Sequence, residues 1–371
     1  MIELRRDRLE IRFPEVHDAA ALNIEFQRTL RIPDDGHTYP LPPGLGRFPL
    51  RLVDEHAETV PRLWLQHGGV MLPMYQSEAL WLRFGTAPGP ELRAPYPFAV
   101  KVAAGKINAV SGEDWRDGLH DGPHDRPHDE QRDRLLSASH DARGGSAGQD
   151  YLVVPDQPWL DGYCVEHGVI RQFVAMPLGS GYSAEEQLTG AAEHGGIQIE
   201  VFPMRREVYE RRFPKISHRR LFDSGAADLL LGTPMARADT GAMGLAPGGR
   251  MRQSIVDDPY GMDDWDLAHS ARCFVHIANS LMWRAITGER PPTVPRTAAE
   301  YTRAGLPWFD YYDADAAELE GSDRLAELSS VTEVAAEKGD VALPENESVT
   351  PRIVLHLRRG MKPEQVREGR F

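Results

Sequence analysis

Residues 169–203, VIRQFVAMPLGSGYSAEEQLTGAAEHGGIQIEVFP, predict a strand, a short helix and a second strand in succession. The stretch Val169 to Met176 is apolar on both faces, which is typical of a central strand. Ser183 begins the capping-box pattern S-A-E-E, so a short helix is predicted to end before Gly190. Apolar and polar side chains then alternate in residues 197–203, which predicts a strand with one buried face. The centre of the chain therefore indicates a sheet.

Alternating or apolar patterns predict further strands outside this centre, in residues 9–13, 77–84, 97–111, 151–155 and 352–358. Residues 97–111 read as two strands around a turn at Ala104 and Gly105. Helical spacing predicts helices in residues 18–30, 204–213 and 223–231. Residues 40–49 contain four prolines, and we expect an extended connection there because proline cannot donate to a ladder.

The longest predicted helix starts at Asp263 or Asp264 and ends at Gly288. It would place Cys273 in its interior, as a small core residue. These elements predict a β-rich α+β fold, with one mixed or antiparallel sheet, one long packing helix and several short helices. No repeat with a fixed period supports a solenoid or a propeller.

Changes in composition predict the domain organisation. Residues 1–115 and 150–312 are expected to form one composite globular domain. Residues 116–149 have few apolar side chains and are expected to form a mobile surface insertion. Residues 313–371 are predicted to form an acidic helix or tail that carries a terminal strand.

Charge and composition exclude several classes of function. The 371 residues carry a net charge of -14, so nucleic-acid binding is not expected. No apolar run reaches 18 residues, and residues 1–10 are too charged for a secretory signal. We therefore expect a soluble, cytoplasmic protein without a membrane partner. Only two cysteines are present, which is too few for a disulfide framework.

A glycine-rich stretch in residues 241–253, GAMGLAPGGRMRQ, predicts a ligand-binding loop. Backbone amides at Gly248 and Gly249 could converge on an anion, while Arg250 and Arg252 supply charge and bidentate donors. The stretch falls short of a P-loop, because Arg250 stands where that motif has lysine. A structural loop with two solvated arginines is the alternative.

Three residues are candidates for acid and base catalysis. Only five of the 42 basic side chains are lysine, so Lys101 stands out as an amine whose pKa could shift. Exposure at the hairpin end is the simpler interpretation of Lys101. His194 and Glu200 lie before and on the strand predicted in residues 197–203, and could act as acid and base. An exposed helix end and a polar strand face are the alternative.

Other chemical signatures are weaker. Cys164 and His167 could form a nucleophilic pair, but residues three apart on a strand point to opposite faces. His120, His124 and His128 recur every four residues, yet the intervening glycine and prolines argue against a helix. No metal site is predicted, and the sequence assigns no cofactor.

Two functions are compatible with these features. The first is a binding or assembly module that holds an anionic small molecule or a protein partner. Such a module could form a homo-oligomer through an uncovered sheet edge or through the aromatic loops in residues 156–163 and 306–312. The alternative is a cofactor-independent enzyme acting on a carboxylate- or phosphate-bearing substrate. That enzyme would need Lys101, His194, Glu200 and Arg250 within roughly 10 Å of each other.

Overall fold

The structure is a computed structural model, and it describes residues 1–86, 94–120, 148–214, 241–312, 317–340 and 346–358. These residues form an α+β fold that is rich in strands, with mixed sheets and short helices. The predicted fold class is confirmed at this level. The prediction of a single sheet is wrong, because the strands form two large sheets and a two-stranded one.

The larger sheet contains ten strands among the described residues, and its pairs are antiparallel apart from β16 with β4. Its path runs through β1 (Ile2–Leu4), β2 (Leu9–Arg12), β3 (Ala21–Thr29), β8 (Ala79–Thr86), β14 (Val169–Pro177), β16 (Met243–Arg252) and β4 (Thr38–Tyr39). Three short strands pair beside this path: β5 (Gly44–Arg47) with β3, β12 (Trp159–Leu160) with β8, and β13 (Gly162–Glu166) with β14.

The second sheet contains seven strands in the described part of the chain. Its path runs through β10 (Ile107–Asn108), β9 (Phe98–Ala104), β15 (Ile197–Pro203), β17 (Ala271–Asn279), β7 (Val70–Met74) and β6 (Arg51–Leu52), and β11 (Leu152–Val154) pairs with β9. Only β17 and β7 run parallel in it. In the two-stranded sheet, β18 (Trp308–Tyr312) and β19 (Val354–Arg358) are also parallel.

The helices are short. They are α1 (Arg62–His67), α2 (Ala184–Thr189), α3 (Arg206–Arg212), α4 (Ser280–Thr287), α5 (Ala298–Arg303), α6 (Asp323–Ala326) and α7 (Val331–Lys338), with 3₁₀ turns at Asp54–His56 and Met262–Asp264. None of the helices in the described ranges is long and apolar enough to span a membrane.

The two large sheets share one core. Ile24 and Leu82 of the first sheet belong to the same buried cluster as Val100 and Ile199 of the second. A separate cluster lies on the other face of the second sheet, where Met71 packs with residues of α1 and α4, including Trp64, Met282 and Trp283. On the far face of the first sheet, Val174 and Met176 pack against Val331 and Val334 of α7. Helices therefore cover part of each outer face.

Several elements agree with the sequence-based predictions. The residue 97–111 hairpin is present as β9 and β10, and residues 352–358 contain β19. Helix α2 has the predicted capping box at Ser183 and ends at Gly190, which adopts a left-handed φ of 71°. Residues 204–213 contain α3. The helix predicted in residues 223–231 lies outside the described residues.

The prediction of one long helix from Asp263 to Gly288 is wrong. Residues 271–279 form β17, and the helix that follows is the eight-residue α4. Val275 and Ile277 are β-branched residues two positions apart, and both face the core between the sheets. The helix begins one residue after Asn279, whose side chain accepts hydrogen bonds from the first-turn amides, and it ends at Gly288 as predicted. Cys273 is buried, as expected, but on a strand.

The helix predicted in residues 18–30 is also wrong, because residues 21–29 form β3. Leu22, Ile24 and Phe26 alternate along it and are all buried in the core. The strand pairs with β2 on one side and β8 on the other, so its backbone groups are satisfied by neighbours in the sheet. Residues 40–49, predicted to lack regular structure, contain the edge strand β5.

Candidate functional site

The predicted ligand loop is part of a strand. Gly248, Gly249, Arg250 and Arg252 all lie on β16, so the prediction of a loop in this stretch is wrong. Arg250 forms an ion pair with Glu166 at 2.6 Å, and Arg252 approaches Asp310 at 3.2 Å. Both guanidinium groups are therefore next to carboxylates.

Close packing explains why this strand is rich in glycine. A Cβ atom at Gly248 would overlap the side chain of Val174, and one at Gly249 would overlap the backbone carbonyl of Pro33. Two backbone segments cannot pack this closely when a side chain lies between them. The glycines thus allow the close packing of β16, although a glycine-rich sequence is also typical of an anion-binding loop.

We expect Gly249→Ala to lower the free energy of unfolding by about 1–3 kcal/mol, because the added methyl group forces the Pro33 backbone to move. Arg250→Ala should change it by only about 0–1 kcal/mol, since the Arg250–Glu166 pair is partly exposed. Urea unfolding of the two variants tests this. Equal stability of both variants would show that glycine is not required at position 249.

Lys101 and Glu200 lie side by side on the outer face of the second sheet, as directly paired residues of β9 and β15. The Lys101 side chain is only 1% exposed. Its Nζ lies 2.6 Å from Asp150 Oδ2 and donates to the carbonyl oxygens of Arg116 and Gly118 at 2.6 and 2.8 Å. Three oxygens thus surround an ammonium group that has three hydrogens to donate. The simpler interpretation of Lys101 as an exposed hairpin residue is wrong.

Glu200 is a buried carboxylate in the same cluster. Burial raises its pKa, while the positive charge of Arg272 opposes that shift. Ser270 donates a hydrogen bond to Glu200 Oε1 at 3.3 Å. Arg272 is held by Asp117 at 2.7 Å and lies over the ring of Trp115, at 4.9 Å from its centroid. The surroundings of Glu200 are therefore a connected polar network.

His194 lies apart from this cluster. Its ring centroid is 5.5 Å from that of His67, and neither of its ring nitrogens has a hydrogen-bond partner among the described residues. Burial lowers the pKa of His194, and the charge of Lys106 lowers it further. The nearest carboxylate oxygen in an ion pair is Glu193 Oε2, at 3.6 Å. The imidazole is thus biased toward its neutral form.

The residues of the enzyme hypothesis lie on different elements. Lys101 and Glu200 are paired on β9 and β15, whereas His194 precedes β15. Arg250 lies on β16, in the other large sheet. Strand pairing thus brings Lys101 and Glu200 together and places His194 and Arg250 on other segments.

Cysteine and metal chemistry find little support in the described residues. Burial raises the pKa of Cys164 to about 12 and that of Cys273 likewise to about 12, so both thiols stay protonated near neutral pH. No group of three or more metal-binding side chains is found in the ranges that the structure describes. His124 and His128 lie outside those ranges.

A cavity of about 340 Å³ lies at a different place, where four segments distant in sequence meet. It is lined by Arg31, by residues 75–78 between β7 and β8, by residues 279–281 at the start of α4, and by residues 294–297 before α5. The lining combines two guanidinium groups, several hydroxyl and amide groups, and apolar side chains. We call it the arginine cavity.

A buried ion pair supports one wall of the arginine cavity. Glu78 accepts hydrogen bonds from Arg28 Nε at 2.8 Å and from the Tyr75 amide at 2.9 Å. Burial raises the pKa of Glu78, and Arg28 opposes that shift. Arg28 balances the charge of Glu78. The other charged residues of the lining are Arg31, which is buried, and Arg296, which is exposed.

The wall segments are held in place by hydrogen bonds to the linker before α5. Arg28 donates to the carbonyl oxygen of Thr293 at 2.5 Å, and the Tyr75 hydroxyl donates to that of Pro292 at 2.8 Å. Ser77 adopts a left-handed φ of 65°, which is costly for a residue with a side chain. Such conformations concentrate at ligand sites, where the surrounding structure holds them.

No sequence pattern marks this cavity. Arg31 follows β3, a segment whose spacing also fits a helix, and Arg296 lies in the proline-rich stretch that follows α4. No local motif joins the four segments, because they come together only through the pairing of β7 with β17 and of β3 with β8.

Comparison of the chain with models of protein families, with curated protein sequences and with solved structures gave no match in any of the three.

Proposed function

We propose that the protein is a binding module for an anionic small molecule, which it holds in the arginine cavity. The observation that carries this proposal is a concave site lined by the exposed Arg296 and by the hydroxyl groups of Ser77 and Ser280, in a chain with a net charge of -14. Anions are repelled by the average field of such a chain, so an arginine in a concave site favours their binding there.

The size and chemistry of the cavity favour a small ligand. Its volume of about 340 Å³ lies at the lower end of the range of roughly 300–1,000 Å³ that is typical of small-molecule sites. Guanidinium groups match the geometry of carboxylates and phosphates, and Ser77 and Ser280 add hydroxyl groups to the lining. The proposed site thus replaces the strand residues Gly248 to Arg252 as the location of the ligand.

Thermal unfolding with added anions tests the proposal. We expect acetate, citrate or inorganic phosphate, in excess at constant ionic strength, to raise the Tm of the native protein by about 3–5 °C. Arg296→Ala should remove at least half of that increase, since a charge-assisted hydrogen bond contributes about 1.5–3 kcal/mol. Arg296 is exposed, so its replacement should leave folding intact.

Arg303→Ala is the matched control, because Arg303 is an exposed arginine on α5 that does not line the cavity. It changes the net charge equally and should keep the full increase in Tm. Arg31→Met provides a second variant within the cavity. Stabilisation by anions that is the same in all these variants would contradict the proposal.

A protein partner and a homo-oligomer remain predictions from the aromatic loops, and the cofactor-independent enzyme remains the alternative. Sedimentation of the native protein over a range of concentrations measures the oligomeric state directly. Recovery of a bound ligand in unaltered form after prolonged incubation would favour binding over turnover.

A further inference from the structure

Three histidine rings meet on the outer face of the second sheet, next to helix α1. His276 lies on β17, His67 is the last residue of α1, and His194 precedes β15. The rings of His67 and His276 are parallel, with centroids 5.9 Å apart, and the centroid of His194 lies 5.5 Å from that of His67. We call these three residues the histidine cluster. A positive charge on one ring opposes a charge on its neighbour at such distances.

The histidine cluster attaches α1 to the sheet. The ring of His276 stacks on Trp64 of α1 at 4.7 Å, and its Nε2 donates to the carbonyl oxygen of Gly68 at 3.1 Å. His67 stacks on Phe274 of β17 at 4.4 Å. The rest of the contact is the apolar cluster that Trp64 shares with β7 and α4. A helix of six residues depends on such packing, because so short a helix is not stable alone in water.

The charges that act on the rings are mainly positive. Arg272 of β17 acts on His67, and Lys106, at the turn between β9 and β10, acts on His194. Glu193 is the carboxylate beside His194, with its Oε2 at 3.6 Å from the ring Nε2. It is also bound to Lys106 at 2.8 Å. Glu193 therefore has one cation to balance before any ring becomes charged.

The other charged groups on the surrounding elements are bound elsewhere. Glu185 accepts hydrogen bonds from backbone amides before β15, and Asp117 pairs with Arg272 at 2.7 Å. Strand β7 carries no charged side chain, and Arg284 of α4 is exposed. Acid thus adds positive charge to the histidine cluster, while it can only reduce the negative charge of the nearby carboxylates.

We propose that the histidine cluster is an acid-sensitive switch: its protonation detaches α1 from the second sheet while both large sheets stay folded. Detachment lets the charged rings reach water and exposes Trp64 and the apolar cluster that it covers. Strand β17 stays in place because it pairs with β15 on one side and with β7 on the other. The switch does not depend on the arginine cavity.

Hydrogen exchange of the full chain, followed by mass spectrometry, tests the proposal. Peptides that cover residues 62–69 should lose protection about 30-fold between pH 7.5 and pH 5, after correction for the intrinsic exchange rate. His276 alone accounts for this factor, because its pKa is about 4 in the cluster and returns to 6.5 when its ring is hydrated. At pH 5 these peptides should exchange at least about tenfold faster than peptides from β9 and β15, since a local opening requires less free energy than global unfolding.

Two variants locate the effect in the histidine cluster. His276→Gln keeps a side-chain donor and removes the buried titrating ring, so the loss of protection should decrease to about threefold or less. His67→Phe keeps a ring to stack on Phe274 and removes a second titrating group, so its loss should also be smaller than in the native protein. Either variant alone decides the question, because each removes one ring of the cluster.

His269→Gln is the matched control. His269 also precedes or lies on the β17 segment, just before that strand, but its side chain is 43% exposed and pairs with Asp266. This variant should keep the full loss of protection.

Three results would overturn the proposal. The first is equal protection of residues 62–69 at pH 7.5 and pH 5. The second is equal protection of α1 and of β9 at pH 5, since the helix would then open only when the whole chain unfolds. The third is a full 30-fold loss in His276→Gln or in His67→Phe, because the titrating groups would then lie outside the histidine cluster.

Discussion

Lys101→Met is expected to lower the free energy of unfolding by about 3–5 kcal/mol, the cost of removing one partner from a buried ion pair. The Lys101 ammonium group is enclosed by three oxygen atoms within 2.8 Å. Without it, the Asp150 carboxylate stays buried and the carbonyl groups of Arg116 and Gly118 lose a donor. Urea unfolding at pH 7 measures the change as a lower midpoint with an unchanged slope.

The same hairpin provides a matched control. Lys106 also forms an ion pair, with Glu193 at 2.8 Å, but both side chains are exposed. Lys106→Met should therefore change the stability by about 0–1 kcal/mol. If both lysine variants unfold at the same urea concentration, the Lys101–Asp150 pair does not stabilise the fold.

This cluster also organises the chain around the predicted insertion. Asp150 Oδ1 accepts a hydrogen bond from the His120 amide at 2.9 Å, and Lys101 binds the carbonyl groups of residues 116 and 118. The segments before and after residues 121–147 are thus attached to β9 by one buried pair. We conclude that Lys101 serves as a structural anchor at this position.

Acid should destabilise the protein through His276. Burial, together with the charge of the neighbouring His67, lowers the pKa of His276 from 6.5 to about 4. Between pH 6.5 and 4 the unfolded chain binds a proton there that the folded chain does not bind. The contribution of His276 to stability should therefore fall by about 3 kcal/mol as the pH decreases across this window, and the loss should level off below pH 4.

The surroundings of His276 explain the low pKa. Its ring stacks on Trp64 at 4.7 Å and lies parallel to His67 at 5.9 Å, beneath helix α1. Its Nε2 lies 3.1 Å from the carbonyl oxygen of Gly68, a contact that raises the pKa but does not offset burial. A positive charge on His67 lowers the pKa of His276, as burial does.

His276→Gln keeps a donor for the Gly68 carbonyl group and removes the titrating ring. Urea unfolding of His276→Gln at a series of pH values measures its free energy of unfolding. Between pH 6.5 and 4 this free energy should fall by about 3 kcal/mol less than that of the native protein. His37→Gln, at a side chain that is 78% exposed, should keep the native dependence. An identical pH profile for the native protein and His276→Gln would exclude this role of the buried imidazole.

Strands without a competing helical spacing were predictable from sequence, and elements in which two periods overlap were not. Val169 to Met176 and residues 197–203 are strands as predicted, because apolar residues there have no competing helical pattern. In residues 263–288 the apolar residues also fit a spacing of three to four. Since β17 leads directly into α4, one continuous helix was a reasonable prediction from spacing alone.

The site was less predictable than the fold. A glycine-rich composition has the same appearance in a loop that binds anions and in β16, where the glycines allow close contact with Pro33 and Val174. Lys101 is one of only five lysines in the sequence, but its partner Asp150 comes from a segment 49 positions away, which no local pattern indicates. The arginine cavity depends on contacts between segments that strand pairing brings together, so no motif marks it.

The crystal structure of the protein with bound citrate tests the central claim most directly. We expect a citrate carboxylate in the arginine cavity, within hydrogen-bonding distance of Arg296, about 2.7–3.2 Å. An empty arginine cavity in crystals saturated with citrate, or a ligand bound only elsewhere, would contradict the proposed function.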